Sequence, residues 1–445
     1  MVVQQNKLDS QVAANAIATY LKAYLETGYF MGTVLVAREG EVLLSNGYGL
    51  ANLEHNIAHT PQTKFRLGSI TKQFTATAIL QLQEQGLLQV DAPISTYLPN
   101  YPNGEQITVH HLLNHTAGIP SYTSFPDYPQ KWRTVMSVDE LIAWFSDKPL
   151  EFTPGDRHNY SNSGYAVLTK IIETVSSQSY ADYLQHHIFQ PLEMTNSGYD
   201  IYEKILPNRA SGYTFFGDYY QNAAFLEMSI PSGAGGLYST VEDLYKWEQS
   251  LYTDAILSEP SRNAMFAPTA VINPDADQKA YYGYGWIINT YYERDRLFHS
   301  GGINGFRTII SRYPKDQIVV IVLSNVETAS SDRIANDIAA ILFEKPYELP
   351  KQRHTIEVDS ALYEAYAGNY ELVPGVILSI TTESGHIFAQ LTGQERYEIF
   401  PESPTEFFWK VVEAQLTFVV DGNDKATSAI LHQNGQDMTA LRVDS

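Results

Sequence analysis

Ser69-Ile70-Thr71-Lys72 sets a hydroxyl and an ammonium three residues apart, near the start of a stretch from Phe65 to Gly86 that reads as a helix. Residues three apart share a helix face, so the two side chains can touch. Such a pair is either a solvated surface contact or half of a device that turns the hydroxyl into a nucleophile. Ser69 is the only serine in the chain followed by lysine at this spacing. A second candidate is Tyr160-Ser161-Asn162. A nearby cation lowers a phenol's pKa, which suits a tyrosine for proton transfer, and an asparagine can hold both the lysine and a substrate carbonyl. The same spacing recurs at Tyr101-Pro102-Asn103, which reads as a plain turn, and at Tyr220-Gln221-Asn222, in a polar loop. Only Tyr160 lies in a tight loop opening onto an apolar helix. By itself that loop would be taken for a helix cap. The third candidate, His299-Ser300-Gly301-Gly302, opens a strand region. Its small residues let a substrate lie along the strand as an added edge, and the N–H of Gly302 can join that of Ser69 in an oxyanion hole. By itself this string reads as a glycine-rich turn.

The elements that must position these groups follow from the hydrophobic pattern. Asp9 or Ser10 caps a first helix with Val12, Ile17, Tyr20, Leu21, Tyr24 and Leu25 on one stripe. Residues 32–46 read as two strands around Glu39-Gly40. In the Ser69 helix, Phe74, Ala78 and Leu82 form the buried face and Gly86 the C-terminal stop. Residues 90–230 are mostly helix and loop, with helices expected at 107–114, 138–145, 164–175 and 180–189. Strands return at 282–292, 306–314 and 317–325, and a helix at 331–343 closes the unit. The order implies one antiparallel sheet carrying helices and closed by both ends of the segment.

The pattern breaks at Lys345–Arg353. Beyond it, eight short strands at roughly 8–12-residue spacing suggest a small up-and-down barrel. Turns are expected at Ser384-Gly385, Thr392-Gly393, Asp421-Gly422-Asn423 and Asn434-Gly435. Residues 355–445 hold 14 acidic and 4 basic side chains, a net charge of −10. The chain thus divides into 1–345, a linker at 346–357, and a barrel at 358–445.

The whole chain carries −21, which argues against nucleic acid and anionic membranes as partners. It has no cysteine, hence no disulfide or thiolate metal site. The N-terminus has no signal-peptide core and no segment is apolar enough to span a bilayer, so a cytoplasmic location is expected, or a mature exported form with its signal removed. There is no Gly-x-Ser-x-Gly elbow and no His-Glu-x-x-His. His110-His111 and His186-His187 read as surface or cap residues, His115 as a structural helix-end residue, and Asp421–Asp424 as a hairpin turn rather than a calcium loop. No metal or cofactor is expected.

Taken together, Ser69-x-x-Lys72, Tyr160-x-Asn162 and His299-x-Gly301 resemble the serine β-lactamase and penicillin-binding DD-peptidase superfamily, on the branch of class C β-lactamases and their esterase and D-aminopeptidase relatives. The stretches LLNHTAGIP (112–120), FTPGDRHNYSNSGY (152–165), GAGGLYSTVEDLYKW (233–247) and HSGGINGF (299–306) carry the same resemblance. The strands from about 366 onward are similar to the lipocalin-like appendage of some members. The resemblance implies an α/β (α+β) fold: an antiparallel sheet flanked by helices, with an inserted all-helical region, plus a C-terminal antiparallel β-barrel. It implies catalysis by Ser69, Lys72 and Tyr160 through an acyl-enzyme, with Asn162, His299, Ser300, Gly301 and Gly302 binding substrate or the oxyanion.

One departure bears on substrate. β-Lactamases and carboxypeptidases of this kind usually carry lysine where His299 stands, as an anchor for the substrate carboxylate. Histidine is mostly neutral near pH 7. The expectation is therefore a hydrolase of amide bonds in small peptides, D-configured ones included. The alternatives are a carboxylesterase, a β-lactamase or DD-carboxypeptidase, and a non-catalytic penicillin-binding or assembly module. Arg307 is a candidate replacement for the missing charge. The acidic barrel is read as a cap over the cleft in preference to a surface for homo-oligomerisation.

Overall fold

In a computed structural model of the protein, which describes residues 8–276, 278–421, 425–433 and 436–443, Asp9 caps the first helix. Its carboxylate accepts from the N–H groups of Gln11 and Val12, two of the donors that a helix start leaves free. The helix, Ser10–Glu26, buries Ala13, Ile17, Tyr20, Leu21 and Tyr24. Val12, expected on that stripe, is 52% exposed. The helical period meets the core one residue later, at Ala13.

This helix and Ser331–Leu342 cover one face of an antiparallel sheet through a shared apolar layer that includes Ile17, Val34, Val320 and Ile338. Among the described residues the sheet has eight strands. Gly32–Arg38 is hydrogen-bonded to Glu41–Tyr48 on one side and to Ile318–Ser324 on the other, with Gly32 opposite Ser324 and Arg38 opposite Ile318. Early and late segments thus close the sheet together, as expected. Phe306–Tyr313 and Arg294–Ile303 continue it outward. The stretch expected as one strand at 282–292 is broken into Tyr281–Tyr282 and Ile287–Tyr291. Gly285, at φ +75°, makes the break by packing against the backbone of the Ser69 helix: a β-carbon there would lie 2.8 Å from Lys72 O.

The other face of the sheet carries the helical block. Its central helix, Thr71–Glu84, is buried on all sides from Thr71 to Leu82, not on the single face expected. It is enclosed between the sheet and Asn162–Ser176, so its polar residues find partners inside. Trp247 Nε1 donates to Gln73 Oε1 at 2.9 Å, and Thr75 Oγ1 donates to Gly233 O at 2.7 Å. The other expected helices appear as Val109–Leu113, Val138–Phe145 and Tyr180–Leu184, the last continued by a wider turn over Gln185–Phe189.

The C-terminal part is a closed antiparallel barrel running from Gly368–Val373 to Gln436–Val443, with eight strands among the described residues. Tyr366, on the short helix Ala361–Tyr366, stacks on Phe418 with ring centres 4.4 Å apart and fills one end of the interior. Ser384 and Gly385 have positive φ (53° and 78°), as a two-residue hairpin turn requires, and Gly393 is likewise positive (79°). Gly422, Asn423 and Asp424 of the expected turn after Asp421, and the Asn434-Gly435 turn, lie outside the described residues.

The barrel docks behind the sheet. Glu413 accepts from Arg333 at 2.7 Å and from the Tyr24 hydroxyl, and Lys410 pairs with Asp218 at 2.8 Å. These partners belong to the two helices on the sheet's far face and to a peripheral hairpin. No helix among the described residues is long and apolar enough to cross a membrane.

Candidate active site

Ser69 does not lie within the helix proper. It occupies a tight 3-10 turn, Gly68–Ile70, that feeds directly into Thr71–Glu84. Gly68 enters this turn at φ +55°, a conformation glycine adopts without penalty. The turn is pinned to the Arg294–Ile303 strand by backbone contact. A β-carbon on Gly301 would lie 1.9 Å from Leu67 O, and one on Gly68 would lie 2.9 Å from Gly302 N. Thr308 Oγ1 donates to Leu67 O at 2.7 Å and fastens the junction. The glycines at 68 and 301 are therefore what let the strand and the serine turn meet.

Lys72 Nζ lies 3.2 Å from Ser69 Oγ, 2.8 Å from Asn162 Oδ1 and 2.8 Å from Ala234 O. The side chain is fully buried, and none of these neighbours is a carboxylate. Burial without a counter-charge drives its pKa well below the usual lysine value. The Lys72 nitrogen also sits over the Tyr160 ring, 4.7 Å from its centre.

Asn162 is the first residue of Asn162–Ser176, and Ser161 caps that helix without a side-chain bond. The cap reading of this loop therefore fails. Asn162 instead spends its amide on the site: Oδ1 accepts from Lys72, while Nδ2 donates to Thr123 Oγ1 at 3.1 Å.

Tyr160 departs from the expected pattern. Burial raises its phenol well above the ordinary value, and the neighbouring Ser69 hydroxyl offsets this only in part. Lys72 faces the ring rather than the oxygen, so the anticipated lowering by the cation does not occur. The hydroxyl is sealed from solvent and makes no hydrogen bond of normal geometry. His115 supports the ring from behind, with centres 4.2 Å apart, and its Nδ1 accepts from the Ser161 N–H at 3.2 Å.

His299 lies mid-strand rather than at the strand's start, and it is buried. One ring nitrogen is 2.7 Å from Ser300 O and the other 2.9 Å from the Tyr282 hydroxyl. Burial, then the charge of Lys72, pulls its pKa down to about 3. Arg307 does not replace a missing cation in the cleft. Thr308 faces the serine turn, and Ile309 packs with the rear helices. Alternation along the strand puts Arg307 on the rear face with Ile309, where its charge acts on Asp332.

The cleft over Ser69 has a volume of about 230 Å3. Its walls include Ser69, Asn162 and Gly302 of the expected set, but not Lys72, Tyr160, His299, Ser300 or Gly301. Tyr122, Thr123, Tyr128, Leu226, Ile303 and Asn304 also line it, as does Ala234, whose carbonyl holds Lys72. Pattern reading misses these: an apolar loop residue and a backbone oxygen leave no mark in sequence, even within the stretch GAGGLYS. The barrel contributes none of the wall among the described residues, so the expected cap over the cleft is not found. Nor do any three His, Cys, Asp or Glu residues come together as a metal site among the described residues.

Comparison with known proteins agrees with this geometry. Residues 17–344 match the Beta-lactamase family model, and residues 352–442 separately match a domain of unknown function, DUF3471. Penicillin-binding protein 4* of Bacillus subtilis is 31% identical over 96% of this chain and 98% of its own. The octameric penicillin-binding protein homologue from Pyrococcus abyssi superposes with a TM-score of 0.69, at 26% identity over 96% of this chain and 99% of its own. A D-amino acid amidase from Ochrobactrum anthropi, solved with L-phenylalanine, superposes at 0.65 with 25% identity over 75% of this chain and 97% of its own. With its serine turn, buried lysine and glycine-bearing strand in a fold shared with these proteins, the chain belongs to the β-lactamase and penicillin-binding protein superfamily.

Proposed function

We propose that the protein is a serine hydrolase that works through an acyl-enzyme on Ser69 and cleaves amide bonds of small peptides, D-configured ones included. The observation that carries this is the lysine: Lys72 is buried without a carboxylate, 3.2 Å from Ser69 Oγ. In its neutral form the amine has two N–H groups, and two carbonyl oxygens, Asn162 Oδ1 and Ala234 O, stand ready to accept them. The lone pair is then left to take the Ser69 proton.

Attack by Oγ on the scissile carbonyl builds negative charge on its oxygen. The N–H groups of Ser69 and Gly302 receive that charge, each worth about 3–4 kcal/mol in such a role. The start of the Thr71–Glu84 helix, next in the chain, adds a favourable dipole. Lys72 and Tyr160, whose phenol stays protonated at neutral pH beside Ser69, share the task of passing the serine's proton to the departing amine. The C–N bond breaks and leaves the acyl group on Oγ. Water then attacks the ester with the same groups in reverse roles. Asn162 orients Lys72 and the substrate carbonyl, while His299, Ser300 and Gly301 form the strand along which the substrate lies.

The amidase likeness supports the amide reading. A carboxylesterase is the second reading, favoured by the neutral, buried His299 where a carboxylate anchor would be needed for carboxypeptidase or β-lactamase work. We also divide the chain at 346–357, consistent with the two matched regions. The test is hydrolysis of D- and L-aminoacyl anilides, matched esters and a chromogenic cephalosporin, by wild type and Ser69→Ala. Turnover of anilides that vanishes in the variant supports the amidase reading, and turnover of esters alone favours the second. A Ser69→Ala protein that keeps the activity refutes both.

A further inference from the structure

Among the described residues, the walls over Ser69 contain no Asp, Glu, Lys or Arg. Several chargeable groups close by are committed elsewhere, among them Lys131 and Asp127 beside Tyr128, which pair at 3.2 Å. Lys72 has its three neighbours. His299 is neutral with both nitrogens partnered. Arg66 and Arg209 both pair with the buried Asp200, at 2.9 and 2.5 Å. Arg307 is on the rear face of the sheet. What remains is a neutral recess of aromatic, aliphatic and amide surface: Tyr122, Tyr128, Leu226, Ile303 and Asn304. Its volume of about 230 Å3 is below the roughly 300–1,000 Å3 of pockets for drug-sized ligands. It suits a group the size of a single residue.

A charged group entering such a recess gives up hydration and meets no counter-charge. We propose that the enzyme takes neutral acyl donors. These are amides or esters with neither a free α-ammonium on the acyl side nor a free carboxylate on the leaving side, and with one apolar or aromatic residue seated in the recess. The inference rests on the reading of Ser69 as nucleophile, but it excludes two reactions that this reading alone allows: release of a free N-terminal residue, and removal of a C-terminal one. The neutral donors are N-blocked amides and simple esters.

A matched series built on D-phenylalanine tests this. One arm compares the N-acetyl, N-succinyl and free-amine p-nitroanilides. The other compares N-acetyl-D-phenylalanyl-D-alanine with its methylamide. Two readouts apply to every compound: kcat/KM, and the slowing of fluorophosphonate labelling of Ser69, which reports occupancy even without turnover. The neutral member of each arm should exceed its charged partners at least tenfold. The free-amine compound should approach the N-acetyl one as pH rises through the pKa of its amine, with the ratio of the two taken at each pH. Charged members equal to or better than the neutral ones overturn the inference and leave the nucleophile intact. So does a labelled Ser69 that no member of the series protects. If Ser69 does not label at all, the nucleophile reading falls and this inference with it.

Discussion

Lys72 Nζ stands 2.8 Å from Asn162 Oδ1, and this amide oxygen, not a carboxylate, is the side chain that holds it. A carboxylate would have kept the lysine charged. An amide in a buried setting leaves desolvation unopposed, so the amine loses its proton far more readily than a surface lysine.

If neutral Lys72 is the working form, as proposed, kcat/KM should rise with pH through an apparent pKa well below 10.5, the ordinary lysine value. Tyr160 is held above its ordinary 10.0, so the plateau should extend to at least pH 10. Lys72→Arg, permanently charged, should lower kcat/KM by about 10²–10⁴. A pH–rate profile of both proteins checks this.

Two neighbouring glycines should respond very differently. On Gly301 a β-carbon meets backbone, Leu67 O at 1.9 Å, whereas on Gly302 it meets the flexible Arg307 guanidinium at 2.9 Å. Gly301→Ala should push the strand away from the serine turn, lowering kcat/KM about a hundredfold and stability by about 1–3 kcal/mol. Gly302→Ala should be milder on stability. Thermal melting and steady-state kinetics of the two variants decide the order.

These contacts also mark how far the sequence could be read. The hairpin at Glu39-Gly40, the barrel strands and the Ser69–Lys72 pairing were legible because turn residues, period-2 alternation and helical spacing are local. The all-round burial of Thr71–Glu84 was not. Gln73, Thr75 and Thr77 look solvent-facing until Trp247 and Gly233 arrive from distant parts of the chain. Lowering of the Tyr160 pKa by Lys72 was a fair expectation from proximity. It failed because the lysine approaches the ring face and burial outweighs the rest. His299 was read as facing substrate, but its ring is turned in towards Tyr282.

Acid should destabilise the fold through buried histidines. His299 and His59 have pKa values lowered by burial from 6.5 to about 3 and about 4. Between those values and 6.5 the unfolded chain binds more protons than the folded one, so stability falls as pH drops below 6.5. At pH 5.5 each should cost about 1.4 kcal/mol, roughly 3 kcal/mol together. Chemical denaturation at pH 7.5 and 5.5 measures the difference. His59→Gln, which cannot titrate, should remove about 1.4 kcal/mol of it.

The barrel interface should matter for stability and not for the cleft. Glu413 joins Arg333 and Tyr24 across the two regions, while the cleft walls come from residues 68–304. Glu413→Ala should cost about 1–3 kcal/mol and speed proteolysis in the proposed linker at 346–357, with kcat/KM unchanged within twofold. Limited proteolysis alongside an activity assay tests both halves.

Whether buried Lys72 activates Ser69 is read from the pH dependence of fluorophosphonate labelling, followed by intact mass. One adduct is expected in wild type, none in Ser69→Ala, and a labelling rate that rises with pH through a pKa well below the ordinary lysine value and collapses in Lys72→Arg. An adduct that survives in Ser69→Ala, or a rate in Lys72→Arg equal to that of wild type, would contradict it.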